Sequence, residues 1–463
     1  MRKALEWINF FFVIYLIGYS TFLFLSVVIG SSELYQRRRQ EQLKNTFSKD
    51  YYIPVSIVVP AYNEEITVVD TVQSLLALDY KQYEIIVVDD GSKDQTAQKL
   101  IDAFHMHKIY RPIHKEIPCQ AEEGMWEAEV DEVNITLIRK KNGGKADALN
   151  MGINASRYAY FVCMDADSIL QYDSISRIVR PLLVEDDVVA VGGVVRPANG
   201  VTLKNGRLIE YHLPKNLLAC MQVLEYDRSF LASRILFDKF NGSLIISGAF
   251  GLFKRDLVIA VGGYDRSTMG EDMELVVRLH EYCLANDMPY SIKYATDAVC
   301  WSQAPESLKD LCKQRKRWHL GLFQTMFKHK DIMKHPEYGA VSLISYVYFL
   351  LYELLSPFIE LFGLATMIIS YFLGLINIPF MILFFLIYAV FGCILTLTAF
   401  STRVQTADLK LTAHDMLKAM GLCFFEVCFL RFVMAFVRVT AFIGYKNKKM
   451  NWGRIERKKL NLE

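Results

Sequence analysis

Asp165 and Asp167 close the apolar run Tyr160-Phe161-Val162-Cys163-Met164, with only Ala166 between them. Residues two apart on an extended segment point the same way, so both carboxylates can serve one site. Oxygen pairs of this kind hold a hard divalent cation when substrate phosphates supply its remaining ligands. A surface turn beginning Asp-Ala-Asp is the alternative, and the pair alone leaves both open. Other apolar runs end in the same way. Val55–Pro60 leads to Asn63 and Glu64, and Glu84–Val88 leads to Asp89 and Asp90. Three runs ending in polar residues are much harder to assign to chance than one.

Cationic and small residues recur beside these acids. Asn142-Gly143-Gly144-Lys145 is a glycine-bearing turn ahead of a helical stretch. Such a turn lets backbone amides approach phosphate, with lysine as a point charge. It is no Walker motif, but a carboxylate pair twenty residues on gives it a diphosphate to share with a metal. Ser247-Gly248-Ala249-Phe250-Gly251 is a small-residue loop, and Gly262-Gly263-Tyr264 marks a turn. Gly270-Glu271-Asp272 opens a helix, where acids also serve as plain partners of the helix dipole. Gln314-Arg315-Lys316-Arg317-Trp318 lies in an amphipathic basic stretch, Ser307 to Met333. That stretch suits a helix lying on anionic lipid, and equally a stacking platform with a cation beside it.

The elements that must position these residues alternate. Strands are expected at Val55–Pro60, Glu84–Asp90, Asn134–Arg139 and Tyr160–Met164, with helices over Glu64–Leu78, from Asp94, and over Ala146–Asn154. Continuous apolar strands alternating with helices predict a parallel sheet covered on both faces. Ligands then bind beyond the carboxyl ends of the strands. Phe104 to Asp131 is longer than an ordinary connection and carries Glu122, Glu123, Glu127, Glu129 and Asp131. It reads as a solvated insertion.

The 463 residues exceed one ordinary domain, and 52% apolar content points to membrane segments. Ile8–Gly30 is a charge-free run of spanning length. No small-x-small cleavage site follows it, so a retained anchor is expected rather than a signal peptide. Arg37, Arg38 and Arg39 follow directly and place that end in the cytoplasm. Tyr346–Gly374 is long but interrupted by Glu353, Pro357 and Glu360, whereas Phe380–Phe400 is cleaner. Leu422–Gly444 carries Glu426, Arg431 and Arg438. One charge at mid-membrane costs about 2.5–3.5 kcal/mol on insertion scales, so these residues are expected to face a polar conduit or the interface. The expectation is one anchor before the soluble domain and two spans after it, with the last segment interfacial or re-entrant. Lys446–Lys459 is a basic tail, expected in the cytoplasm. The nine cysteines form no C-x-x-C pair and read as reduced apolar residues facing a cytosol. No zinc site is expected, His105 and His107 included, and a net charge of +2 gives no reason to expect a nucleic-acid partner.

In that order the motifs resemble those of membrane-embedded family 2 glycosyltransferases of the processive kind, such as cellulose, hyaluronan, chitin-oligosaccharide and poly-N-acetylglucosamine synthases. The matching stretches are Val59–Glu64, Val88–Ser92, Gly144-Lys145, Asp165-Ala166-Asp167, Gly270-Glu271-Asp272 and Gln314–Trp318, within Pro54 to Lys328. The resemblance implies a GT-A (Rossmann-like) α/β domain with interfacial helices and an α-helical transmembrane region. Its divisions would be an anchor and basic linker (1–50), the catalytic domain (51–300), an amphipathic region (301–338), membrane helices (339–445) and a basic tail (446–463). Tyr62, Glu64, Asp89 and Asp90 would hold the uridine of a UDP-sugar, and Lys145 its diphosphate. Asp167 would bind Mg2+ or Mn2+, with Asp165 nearer the donor sugar and ribose. Asp272, beside Glu271, would be the general base. Gln314, Arg317 and Trp318 would frame the acceptor and leaving group, with Phe250 also at the acceptor.

The implied product is a secreted β-linked polysaccharide built from glucose, N-acetylglucosamine or glucuronic acid. It would leave through the enzyme's own helices, the catalytic domain being cytoplasmic and the protein multi-pass in the cell (plasma or inner) membrane. Transfer of one sugar to a lipid carrier is the alternative. Gly-Glu-Asp stands where cellulose synthases have Thr-Glu-Asp, and no cyclic-nucleotide-binding domain follows the membrane region, so that mode of regulation is not expected. The membrane portion is smaller than in hyaluronan synthases, which leaves room for an accessory subunit or a homo-oligomer.

Overall fold

A computed structural model describes residues 2–44, 52–375, 377–407 and 409–445. The expected basic tail lies outside the described residues. These residues form β1 (Val55–Ala61), β2 (Tyr83–Asp89), β3 (His107–Ile109), β4 (Glu122–Val130), β5 (Val133–Lys140), β6 (Tyr160–Met164), β7 (Ile169–Leu170), β8 (Val188–Pro197), β9 (Val201–Lys204), β10 (Arg207–Tyr211), β11 (Phe250–Lys254) and β12 (Ser291–Ser302). Ten of them make one sheet in the order β3-β4-β5-β2-β1-β6-β11-β8-β12-β7, and β9 pairs with β10.

The middle of the sheet follows from its apolar strands. β1 and β2 are buried along their whole length, because helices cover both faces. Ile57, Val59, Ile85 and Val87 pack with Val72 and Leu75 of the Val68–Leu76 helix on one side. Val58 and Phe161 pack with Leu149 and Ile153 of the Lys145–Ala155 helix on the other. That helix comes so close to β1 that a Cβ on Gly152 would collide with Val58. The order β5-β2-β1-β6 is parallel as expected. The parallel expectation then fails: β11 runs antiparallel to both β6 and β8, and the sheet is mixed. Alternation of strand and helix stops after Met164, so nothing local dictates direction there.

The acidic insertion is not simply solvated. Its second half forms β4, paired antiparallel with β5, and its start supplies the edge strand β3. Met125 and Ala128 turn inward, while Glu127 receives Arg111 at 2.8 Å and Arg157 at 3.2 Å.

Among the described residues three helices are long and apolar enough to cross a membrane: Phe10–Arg39, Met381–Thr406 and Ala413–Phe442. Val341–Leu354 and Ser356–Phe372 qualify only as a pair bent by 46°. The expectation took Tyr346–Gly374 as a span and the last segment as interfacial or re-entrant; by length and composition Ala413–Phe442 is a candidate span as well, and the bent pair is a broken span or a re-entrant loop. Pro357, at the start of the Ser356–Phe372 helix, lacks the N–H that a continuous helix needs. Two charges of the last helix are matched within the protein: Glu426 pairs with Arg228 at 3.0 Å and Arg431 with Glu360 at 2.6 Å. The first helix is also tied to the sheet domain, since Arg37 donates to Asp238 and to the Tyr294 carbonyl, both at 2.9 Å.

Candidate active site

The acids at the strand ends divide into two groups. Asp90, just beyond β2, is committed to the backbone of the glycine turn. Its carboxylate accepts from Gly143 N at 3.0 Å, Gly144 N at 2.8 Å and Asn142 Nδ2 at 3.0 Å, and it pairs with Lys140. Burial raises its pKa, and Lys140 only partly offsets that. Lys140 is fully buried and lies 2.8 Å from Asp147, which also takes Arg266 at 2.9 Å. Gly144, at φ +91°, turns the chain into the helix that begins at Lys145. Asp90, Lys140 and Asp147 thus aim Lys145, and only Asp90 of the three stood out in the sequence. Lys140 and Asp147 are ordinary strand and helix residues until folding joins them.

Asp89 accepts from Ser92 N at 3.0 Å, and burial raises its carboxyl as well. Glu64 is buried and accepts from Thr67 Oγ1 at 2.9 Å, while Tyr62 is exposed.

The second group converges. Lys145 contacts Asp165, donates to the Gly248 carbonyl at 3.1 Å and lies 3.9 Å from Glu271. Asp272 accepts from Gly248 N at 3.0 Å. The small-residue loop is therefore gripped on its carbonyl side by the lysine and on its amide side by the acid. A Cβ on Gly248 would sit 3.2 Å from Lys145 Nζ. Burial opposes the charge on Lys145, but Asp165 and Glu271 outweigh it and raise its pKa above the ordinary lysine value. Burial, with Asp272 alongside, raises the Glu271 carboxyl despite the nearness of Lys145.

The Glu271–Ala285 helix presents Glu271 and Asp272 in its first turn. Its start is crossed by the Leu308–Lys328 helix, which Ser307 caps by accepting from Asp310 N at 3.1 Å. The crossing is backbone on backbone, since a Cβ on Gly270 would lie 3.0 Å from Gly321 Cα. Gln314, Arg317 and Trp318 sit three and four residues apart and so share one helical face. That contact carries them to Asp272.

One cavity of about 940 Å³ gathers Lys145, Asp165, Asp167, Glu271, Asp272, Gln314, Arg317 and Trp318. It extends among the membrane helices, where Glu353, Glu360, Glu426, Arg431 and Arg438 line it. Arg228 lines it too, forked onto Glu426 at 3.0 and 3.2 Å and donating to Thr396 at 2.9 Å. No sequence signal singled out Arg228, whose partner is 198 residues away. Tyr62, Glu64, Asp89 and Asp90 are not among its lining residues. Phe250 is a correction: its ring is fully buried in the sheet core, so no acceptor can meet it. As the first residue of β11, it points into the sheet rather than along the loop.

The fit to a metal can be judged from the acids. Among the described residues no group of three or more His, Cys, Asp or Glu side chains could cage an ion. Asp165 and Asp167 open into the cavity as an oxygen-only pair. That set fits Mg2+ or Mn2+ completed by substrate phosphates.

Residues 53–321, more than half of the chain, match the family model described as glycosyltransferase like family 2. A poly-beta-1,6-N-acetyl-D-glucosamine synthase of Staphylococcus aureus is 30% identical over 332 residues, covering 70% of this chain and 69% of the relative. The synthase of that name from Staphylococcus epidermidis is 29% identical over 322 residues, covering 68% and 66%. A mannosyltransferase from Pyrobaculum calidifontis, solved in complex with GDP-Man and Mn2+, matches with a TM-score of 0.52 at 18% identity, over 90% of this chain and 99% of that one. The last likeness is one of fold, and it bears out the GT-A expectation.

Proposed function

The chain belongs to glycosyltransferase family 2, and from that premise we propose that it polymerises N-acetylglucosamine from a UDP-sugar by inverting transfer and passes the growing β-linked chain into the membrane. The observation that carries this reading is the single cavity joining Asp165, Asp167 and Asp272 to Glu353, Glu360 and Arg431. N-acetylglucosamine is favoured over glucose and glucuronic acid, and a β-1,6 linkage with it, by the activity for which the relatives are named. Pairwise compensation of Arg228 by Glu426 and of Arg431 by Glu360 favours an uncharged glycan over one carrying glucuronic acid, because it offers polar contacts without net charge.

Inverting transfer is a single in-line displacement. Asp272 takes the proton of the acceptor hydroxyl as the new glycosidic bond forms, with Glu271 beside it. Lys145 and Arg317 balance the negative charge that grows on the departing diphosphate. Asp167, with Asp165 nearer the donor sugar and ribose, would hold Mg2+ or Mn2+. When bound, such an ion adds Lewis-acid stabilisation of the leaving group. Tyr62, Glu64 and Asp89 hold the uridine at the ends of β1 and β2, and Asp90 acts through the turn that carries Lys145. Trp318 stacks on the acceptor sugar, with Gln314 at its edge. The catalytic domain is cytoplasmic, and the protein crosses the plasma membrane more than once.

Incubating the full-length protein in lipid nanodiscs with UDP-N-acetylglucosamine and Mn2+ tests this. A polymer degraded by a β-1,6-N-acetylglucosaminidase is expected. A single-sugar lipid as the sole product would replace the proposal with transfer to a lipid carrier.

A further inference from the structure

We propose that Glu225 and Arg315 are positioning residues that hold the Trp318 indole as a fixed platform for the acceptor end of the glycan. This rests on the reading of Trp318 as the surface on which the acceptor stacks. Glu225 lies near the end of the Leu217–Tyr226 helix, 90 residues from Arg315 in sequence. Arg315 donates to Glu225 at 2.7 Å, and its side chain is only 4% exposed. The centre of its guanidinium lies 4.7 Å from the centroid of the Trp318 ring, and the Tyr226 ring approaches at 6.4 Å. Trp318 nevertheless keeps 41% of its surface exposed, and all four residues line the cavity. An acid thus holds a cation, and the cation holds an indole that remains open to a ligand.

The choice of groups is specific. A planar guanidinium can lie against an indole face and fork onto a carboxylate at the same time, which an ammonium cannot. An exposed tryptophan without such a backing would exchange rotamers, and a stacking sugar would have to order it on binding. Arg315 therefore acts on the acceptor only through Trp318, and Glu225 only through Arg315. Neither is required for holding the donor.

The test uses the full-length protein in nanodiscs with UDP-N-acetylglucosamine, Mn2+ and an N-acetylglucosamine oligosaccharide as acceptor. Glu225→Gln and Arg315→Lys are expected to raise the acceptor KM roughly tenfold, the scale of one lost cation–π contact or ion pair. The product should shorten, while the donor KM and the slow release of UDP to water stay unchanged. Glu225→Asp should restore most of the acceptor affinity. If both variants keep the acceptor KM of the parent protein while Trp318→Ala raises it, the positioning role is wrong and the platform stands. If Trp318→Ala leaves the acceptor KM unchanged, the platform reading fails and the inference falls with it. Equal losses for donor and acceptor, with a lowered melting temperature, would assign the pair to fold stability and overturn the proposal.

Discussion

The two ends of the cavity use buried charge in opposite ways. Around Lys145, the carboxylates Asp165, Asp167, Glu271 and Asp272 converge on few cations. Among the membrane helices, Arg228 closes on Glu426 and Arg431 on Glu360, each acid forked to its own guanidinium. The first arrangement gathers four acids around one lysine, which suits binding a cation and catalysis. The second is complete in itself, and lends a polar wall to an apolar region. An unbalanced cluster is a site, and a balanced one is a lining.

The largest effect expected on the unbalanced side is chemical. Asp272→Asn should lower transfer by about 10²–10⁴-fold, the range for losing a general base, with UDP affinity by calorimetry nearly unchanged. Lost UDP binding would return Asp272 to a structural role at the helix start. The largest effect on the balanced side is one of stability. Glu426→Gln strands the Arg228 guanidinium and should cost about 3–5 kcal/mol, whereas replacing both partners by apolar residues should recover most of that. Thermal melting in detergent checks it. A single variant as stable as the parent would show that the pair is not closed.

A smaller effect concerns the metal. Mn2+ with UDP should raise the melting temperature of the parent protein through binding linkage, and Asp167→Asn should remove that increment. The smallest effect is a pH dependence of the unbalanced end. The Glu271 carboxyl is raised in the folded state by burial and by Asp272, so folding retains a proton that the unfolded chain has released. Its contribution to stability is present at acid pH and is lost as pH rises from the ordinary glutamate value through the raised one. Glu271→Gln should therefore flatten the decline in melting temperature of the ligand-free protein between acid and neutral pH. An unaltered slope would mean that Glu271 does not titrate in that window.

Much of the unbalanced end was legible in the sequence, because parallel strands announce themselves as apolar runs and their acids fall at the run ends. What stayed hidden depended on partners far along the chain. Asp90 resembles a ligand in the sequence, yet it spends its carboxylate on the amides of Gly143 and Gly144. Phe250 shares a loop with Gly248 but turns into the core where β11 begins. β4 was obscured by its glutamates, Glu122, Glu123, Glu127 and Glu129, which flank the buried Met125 and Ala128. The membrane helices hid their pairing for a related reason. Hydropathy counts Glu426 and Arg431 as liabilities, whereas folding supplies each of the two with a partner.

The Gly270–Gly321 crossing has a mechanical corollary. Because neither partner has a side chain, the spacing between the acid-bearing helix and the tryptophan-bearing helix is fixed by main-chain contact and cannot drift with rotamers. The molecule thereby possesses a ruler made of peptide, with proton acceptor and sugar platform as its two marks. Even a methyl group at either glycine would act as a shim, and reach between the marks would fail before the fold did.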